Sequence, residues 1–160
     1  MERRNIKMEN LWPEDITTSV DLNTPVVILQ QQASYLGEMT KNELIGMVSN
    51  SDELSDKGDF KYEFYINAPT LGNYSYKLFS ISHDIDLYPV NIYLENEMIK
   101  EIMGDRYTDN IKAIKCSNEA NLIGTLGRVF AAKRTRNIIA FLLQMTKVKL
   151  SSHSSMNIPS

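Results

Sequence analysis

Three groups of residues in this chain have the types and spacing for chemistry. His83, Asp84 and Asp86 crowd together in FSISHDIDLYPV, residues 79–90, where an imidazole and two carboxylates are the makings of a metal or proton-transfer site. They are the candidates for a small metal-dependent hydrolase. The same letters suit a turn, because an aspartate side chain accepts hydrogen bonds from backbone N–H groups just downstream, and the turn is the expectation. Cys116 is the second group. It stands before an expected helix N-terminus, a place that lowers a thiol pKa, and His83 can serve as its base; buried, the same thiol is inert. The third group is AAKRTRN, residues 131–137, where Lys133, Arg134 and Arg136 follow closely on Arg128. If the chain turns there with Thr135 as cap, these charges and the helix N-terminus form an anion site for a partner's carboxylates or a phosphate backbone.

A further motif lies just upstream. IGTLGRVF, residues 123–130, resembles the Ile-Gly-x-x-Gly-x-x-Ile signature of KH domains, and the local order of strand, helix, Gly-x-x-Gly and helix resembles theirs too. That resemblance implies binding of single-stranded nucleic acid, with the Gly-x-x-Gly loop holding its backbone. The chain departs from the family between the glycines, where Thr125 and Leu126 stand in place of a basic residue. Leu126 also completes an apolar helical stripe, so one continuous helix accounts for the same residues. Walker, dinucleotide-type glycine, His-Glu-x-x-His and Gly-x-Ser-x-Gly motifs are absent from the sequence, and no cofactor is expected.

The elements that must position these groups are set by composition and periodicity. With 160 residues, 42% hydrophobic and 23% charged, the chain can bury one core without disulfides, and it lies far from the composition of disordered segments. A single cysteine suits the cytoplasm, and no apolar stretch is long enough to span a bilayer. Lysine outnumbers arginine 11 to 6, as in the AT-rich coding sequences of many bacteria and phages. The net charge of −3 conceals a division: residues 1–111 hold nine basic and nineteen acidic residues, whereas residues 112–149 hold eight basic residues and only Glu119. Either the two parts face each other in the fold or the basic part meets an acidic partner.

Thr24 and Pro25 announce a first helix running to about Glu38, with Val26, Leu29, Ala33 and Leu36 as its apolar stripe. Residues 42–51 predict a strand with Gly46 as a possible bulge, and the polar run that follows predicts a loop. In FKYEFYIN, Phe60, Tyr62, Phe64 and Ile66 alternate with polar neighbours, which predicts a strand. Residues 74–82 and 88–95 continue an antiparallel meander. Tyr65, Phe79, Ile81 and Tyr93 remain as apolar residues for its second face, which implies a cover there. A short helix closed by Gly104, a strand over 110–116 and two helices capped by Ser117 and Thr135 complete the chain.

The reading is one α+β domain over residues 1–150, an antiparallel meander sheet of about four to five strands, and a flexible tail over 151–160. The N-terminal helix is expected on one face and the C-terminal helix pair on the other. The function expected is a non-enzymatic cytoplasmic binding protein acting on another protein with an acidic surface, such as an accessory regulator, inhibitor or immunity-type factor. Lys133, Arg134, Arg136 and Arg128 are its candidate contact residues. Nucleic-acid binding through the KH-like segment is the alternative, and metal-dependent hydrolysis at the His83, Asp84, Asp86 turn the third.

Overall fold

The computed structural model of the chain describes residues 8–17, 23–51 and 59–156. The loop expected after residue 51 falls largely outside them, as do residues 157–160. Helix α1, Pro25–Met39, begins where the missing proline N–H is harmless, with Thr24 extended at the cap position but making no side-chain cap. It ends where Lys41 and Asn42 take positive φ angles of 52° and 64°. Thr40 then knots the exit, donating to the Leu36 carbonyl at 2.9 Å and accepting from the Leu44 amide at 3.1 Å.

Five strands follow in an antiparallel sheet of order β1-β2-β3-β4-β5: β1 Ile45–Asn50, β2 Phe60–Ala68, β3 Tyr74–His83, β4 Val90–Tyr93 and β5 Ile114–Cys116. Helix α2, Asn96–Met103, lies between the last two strands and closes at Gly104, whose φ of 58° suits glycine. Helices α3, Glu119–Ala131, and α4, Lys133–Met156, complete the fold. The class is α+β, as expected, with the meander and both terminal helical parts in place.

The arrangement of faces differs from the expectation: α1 and the C-terminal pair share one face of the sheet. Gly46 of β1 points at Ala33 of α1 and pairs directly with Ile66 of β2. Two residues along β2, Phe64 stacks on Phe79 at 5.1 Å, and Phe130 of α3 lies 5.5 Å from Phe64. Opposed residues in an antiparallel ladder project to the same side, so both helices meet the same surface. The reason is a bulge that simple alternation hides. Phe64 pairs with Phe79 but Tyr65 with Lys77, which leaves Leu78 as an extra residue in β3. Parity in β3 switches there, so Tyr76, Phe79 and Ile81 all face the helices. Phe79 and Ile81, assigned from sequence to the second face, are therefore core residues, 2% and 0% exposed.

The opposite face carries Lys61, Glu63, Tyr65, Lys77, Asn91 and Lys115, consistent with one solvated side of an antiparallel sheet. Lys61 Nζ sits 6.0 Å from the Tyr93 ring centroid, and the Tyr93 hydroxyl lies 3.1 Å from Ser82 Oγ. Gly46 is no bulge. It stays in register opposite Ile66, and the position needs glycine because a Cβ there would stand 2.5 Å from Ala33 Cα.

Two helix boundaries also move. Asn118, not Ser117, caps α3 by accepting from the Asn121 amide at 2.8 Å. The segment expected to fray from residue 151 is helical to Met156. Among the described residues no helix is long and apolar enough to cross a membrane.

Candidate functional site

The His83 cluster folds as a turn. Asp84 Oδ1 accepts from the Asp86 amide at 2.8 Å, and the Leu87 amide reaches back to the Asp84 carbonyl at 3.1 Å. His83 ends β3 on the covered face, stacked on Phe60 at 5.6 Å and Tyr62 at 6.0 Å. Its Nδ1 lies 2.7 Å from the Asp84 carbonyl oxygen, which can only accept, so Nδ1 carries the proton. Nε2 is buried and has no partner among the described residues. Asp84 and Asp86 are exposed while His83 is not, and no three metal-ligating side chains converge among the described residues.

Cys116 is fully buried in the sheet. Burial pushes its thiol pKa up, and a hydrogen bond with Thr125 only partly offsets this. Such a sulfur is protonated at neutral pH, the opposite of an activated nucleophile.

The basic turn differs in construction from its sequence reading. The chain breaks at Ala132, which is extended (φ −60°, ψ 146°), so α4 starts at Lys133 and Thr135 lies inside its first turn. Thr135 does not cap α4; its Oγ1 donates to the Val129 carbonyl at 2.7 Å, tying α4 to the end of α3. The cap comes from α2, where Glu101 accepts from the Lys133 amide through both oxygens at 2.9 and 3.2 Å. A carboxylate there also meets the positive end of the helix dipole. Arg134 Nε donates to Glu95 at 3.2 Å, and the Tyr76 hydroxyl donates to the other Glu95 oxygen. Acidic α2 thus already fills the anion site proposed for Lys133 and Arg134. This is the facing of acidic and basic parts that the charge division allowed.

Arg136 and Arg128 are left facing elsewhere, and Arg128 borders a concavity. Arg136 is exposed on α4 and pairs with no carboxylate among the described residues. Helical spacing places it on the flank shared by Leu143 and Lys147. That flank edges a groove of about 410 Å³ between α1 and α4. Leu36, Met39, Ile139 and Leu143 form its walls, and Phe64, Ile66, Leu78 and Phe130 its floor. Met39 is 84% and Tyr35 53% exposed at its α1 rim, so the rim offers apolar surface beside the groove.

Arg128 lines a second cleft, of about 500 Å³, bounded by α2, β5 and α3. Asn121, Thr125 and Arg128 recur at helical spacing along its α3 wall, so Gly124 and Gly127 lie within a continuous helix and form no loop. The loop that the KH resemblance implies is absent from this segment. Neither concavity was visible in the sequence, since each is assembled from elements far apart in the chain. The signals that existed were Tyr35 and Met39, apolar residues at the margin of the α1 stripe, and the unpaired basic excess after residue 111. Comparisons with protein-family models, curated proteins and solved structures found no match to this chain.

Proposed function

We propose that this chain is a non-enzymatic cytoplasmic binding protein, an accessory regulator, inhibitor or immunity-type factor, that grips an acidic amphipathic segment of another protein. The observation that carries the reading is the apolar groove between α1 and α4, open along its α1 rim at Tyr35 and Met39. An apolar stripe laid against Tyr35, Met39 and Leu143 would remove the exposed part of the groove from water, as helices in hydrophobic grooves do. The charge of the occupant follows from the α4 wall. Residues 133–149 contain Lys133, Arg134, Arg136, Lys147 and Lys149 and no acidic residue, and helical spacing sets Arg136 and Lys147 next to the Ile139 and Leu143 wall, with no ion pair to either among the described residues. Acidic residues beside the partner's apolar stripe complement them and quicken encounter. A second copy of α4 would bring like charges together.

The test begins with a photoreactive side chain at position 39, used to crosslink the full chain to its partner in native lysate. The crosslinked segment is expected to carry apolar residues at helical spacing flanked by Asp or Glu. Tyr35→Glu with Met39→Glu, both at exposed positions, is expected to keep the fold and abolish capture. Arg136→Glu with Lys147→Glu is expected to slow association and to reduce its dependence on salt. Undiminished capture by the first pair, or a basic crosslinked segment, overturns the reading.

A further inference from the structure

The cleft beside Arg128 stands apart from the groove and has a different chemistry. Arg106 comes from the turn after α2 and Arg128 from α3, two guanidinium groups contributed by two elements, while the Lys115 side chain of β5 leaves toward the solvated face of the sheet. Neither forms an ion pair among the described residues, although the chain as a whole is acidic. Asn121 and Thr125 add neutral hydrogen-bonding groups, and no carboxylate among the described residues lines the cleft. Ile102, Met103, Ile111 and Ile114 supply apolar walls. Like charges gathered without a counter-charge raise the local potential and favour an anion. Guanidinium groups match planar or tetrahedral oxyanions through paired N–H donors. A volume of about 500 Å³ falls in the range of sites for small organic molecules, roughly 300–1,000 Å³.

We propose that the cleft between Arg106 and Arg128 binds a small organic oxyanion, a phosphate monoester or carboxylate whose apolar body lies against Ile102 and Ile114. A nucleic-acid strand fits less well. Its backbone would need a run of basic surface, whereas residues 1–111 are net −10, and the Gly-x-x-Gly segment beside the cleft is helical.

Calorimetric titration of the full chain with phenyl phosphate, benzoate and inorganic phosphate tests this. Saturable binding of phenyl phosphate or benzoate is expected, tighter than that of inorganic phosphate because the apolar walls contribute, and the tighter of the two identifies the head group. Arg106→Ala and Arg128→Ala should each weaken that binding about tenfold or more, the cost of one charged hydrogen-bonding partner. Tyr35→Glu with Met39→Glu should leave it unchanged, which separates this site from the groove. No saturable binding of either organic probe up to about 10 mM, enough to fill even a millimolar site, overturns the proposal. So does binding that survives both arginine substitutions. Tight single-stranded RNA binding lost in the same variants, with neither organic probe bound, replaces it with the nucleic-acid reading.

Discussion

Gly46 and Ala33 meet backbone to backbone, and a Cβ on Gly46 would stand 2.5 Å from Ala33 Cα and 2.8 Å from its carbonyl oxygen. This contact sets how closely α1 approaches β1, and so the width of the groove beside it. Gly46→Ala is expected to destabilise the fold by roughly 1–3 kcal/mol, because the obstacle is backbone rather than a movable side-chain end. Urea denaturation measures it, and a neutral result would mean that α1 is free to lift.

Gly124→Ala should act in the opposite direction. Gly124 and Gly127 lie in α3 with nothing within 4 Å of an added Cβ, so alanine should stabilise the helix by about 0.5–1 kcal/mol. A melting temperature that falls instead would show that this segment needs glycine for another conformation.

Glu101 caps α4 from 32 residues away in sequence. Glu101→Ala should cost about 1 kcal/mol, typical of a lost helix cap, and lower the melting temperature by roughly 2–4 °C in a chain of this size. Glu101→Gln retains an acceptor and should lose less, so the order of the two variants separates hydrogen bonding from charge.

His83→Phe should be more stable than His83→Ala. Phenylalanine keeps the ring stack with Phe60 and Tyr62 and removes a buried nitrogen that has no partner, whereas alanine leaves a cavity. Zinc or manganese retained stoichiometrically by purified wild type and lost in His83→Phe would instead establish a metal site.

Alkaline conditions should weaken the fold. Burial is the largest cause raising the Cys116, Tyr76 and Tyr88 pKa values, so each group ionises more readily in the unfolded chain. The unfolded state then binds fewer protons, and stability falls as pH rises through the ordinary values of 9.0 for the thiol and 10.0 for the phenols. Chemical denaturation from pH 7 to 11 reads this slope. Cys116 should also resist thiol reagents until the chain unfolds, and rapid labelling of the native protein would contradict its buried, protonated state.

What the sequence by itself determined was local. Thr24-Pro25 set the start of α1, the period-two alternation from Phe60 to Ile66 set β2, Gly104 closed α2, and Asp84 made the turn that brings its carboxylate to the Asp86 amide. Each depends on neighbours within a few residues, so the letters suffice. Tertiary structure decided the rest. The extra residue Leu78 is recognisable only when β3 is paired with β2, and that one residue turned Phe79 and Ile81 toward the helices and put α1 and α3 on the same side. Thr135 had the chemistry of a cap, but Glu101 reached the α4 N-terminus and Thr135 turned to the Val129 carbonyl instead. The two arginines of the cleft, at 106 and 128, are joined only by the packing of α2 and α3 around β5. Local hydrogen bonding is encoded within a few residues, whereas strand parity, partner choice and convergence depend on which distant surfaces meet.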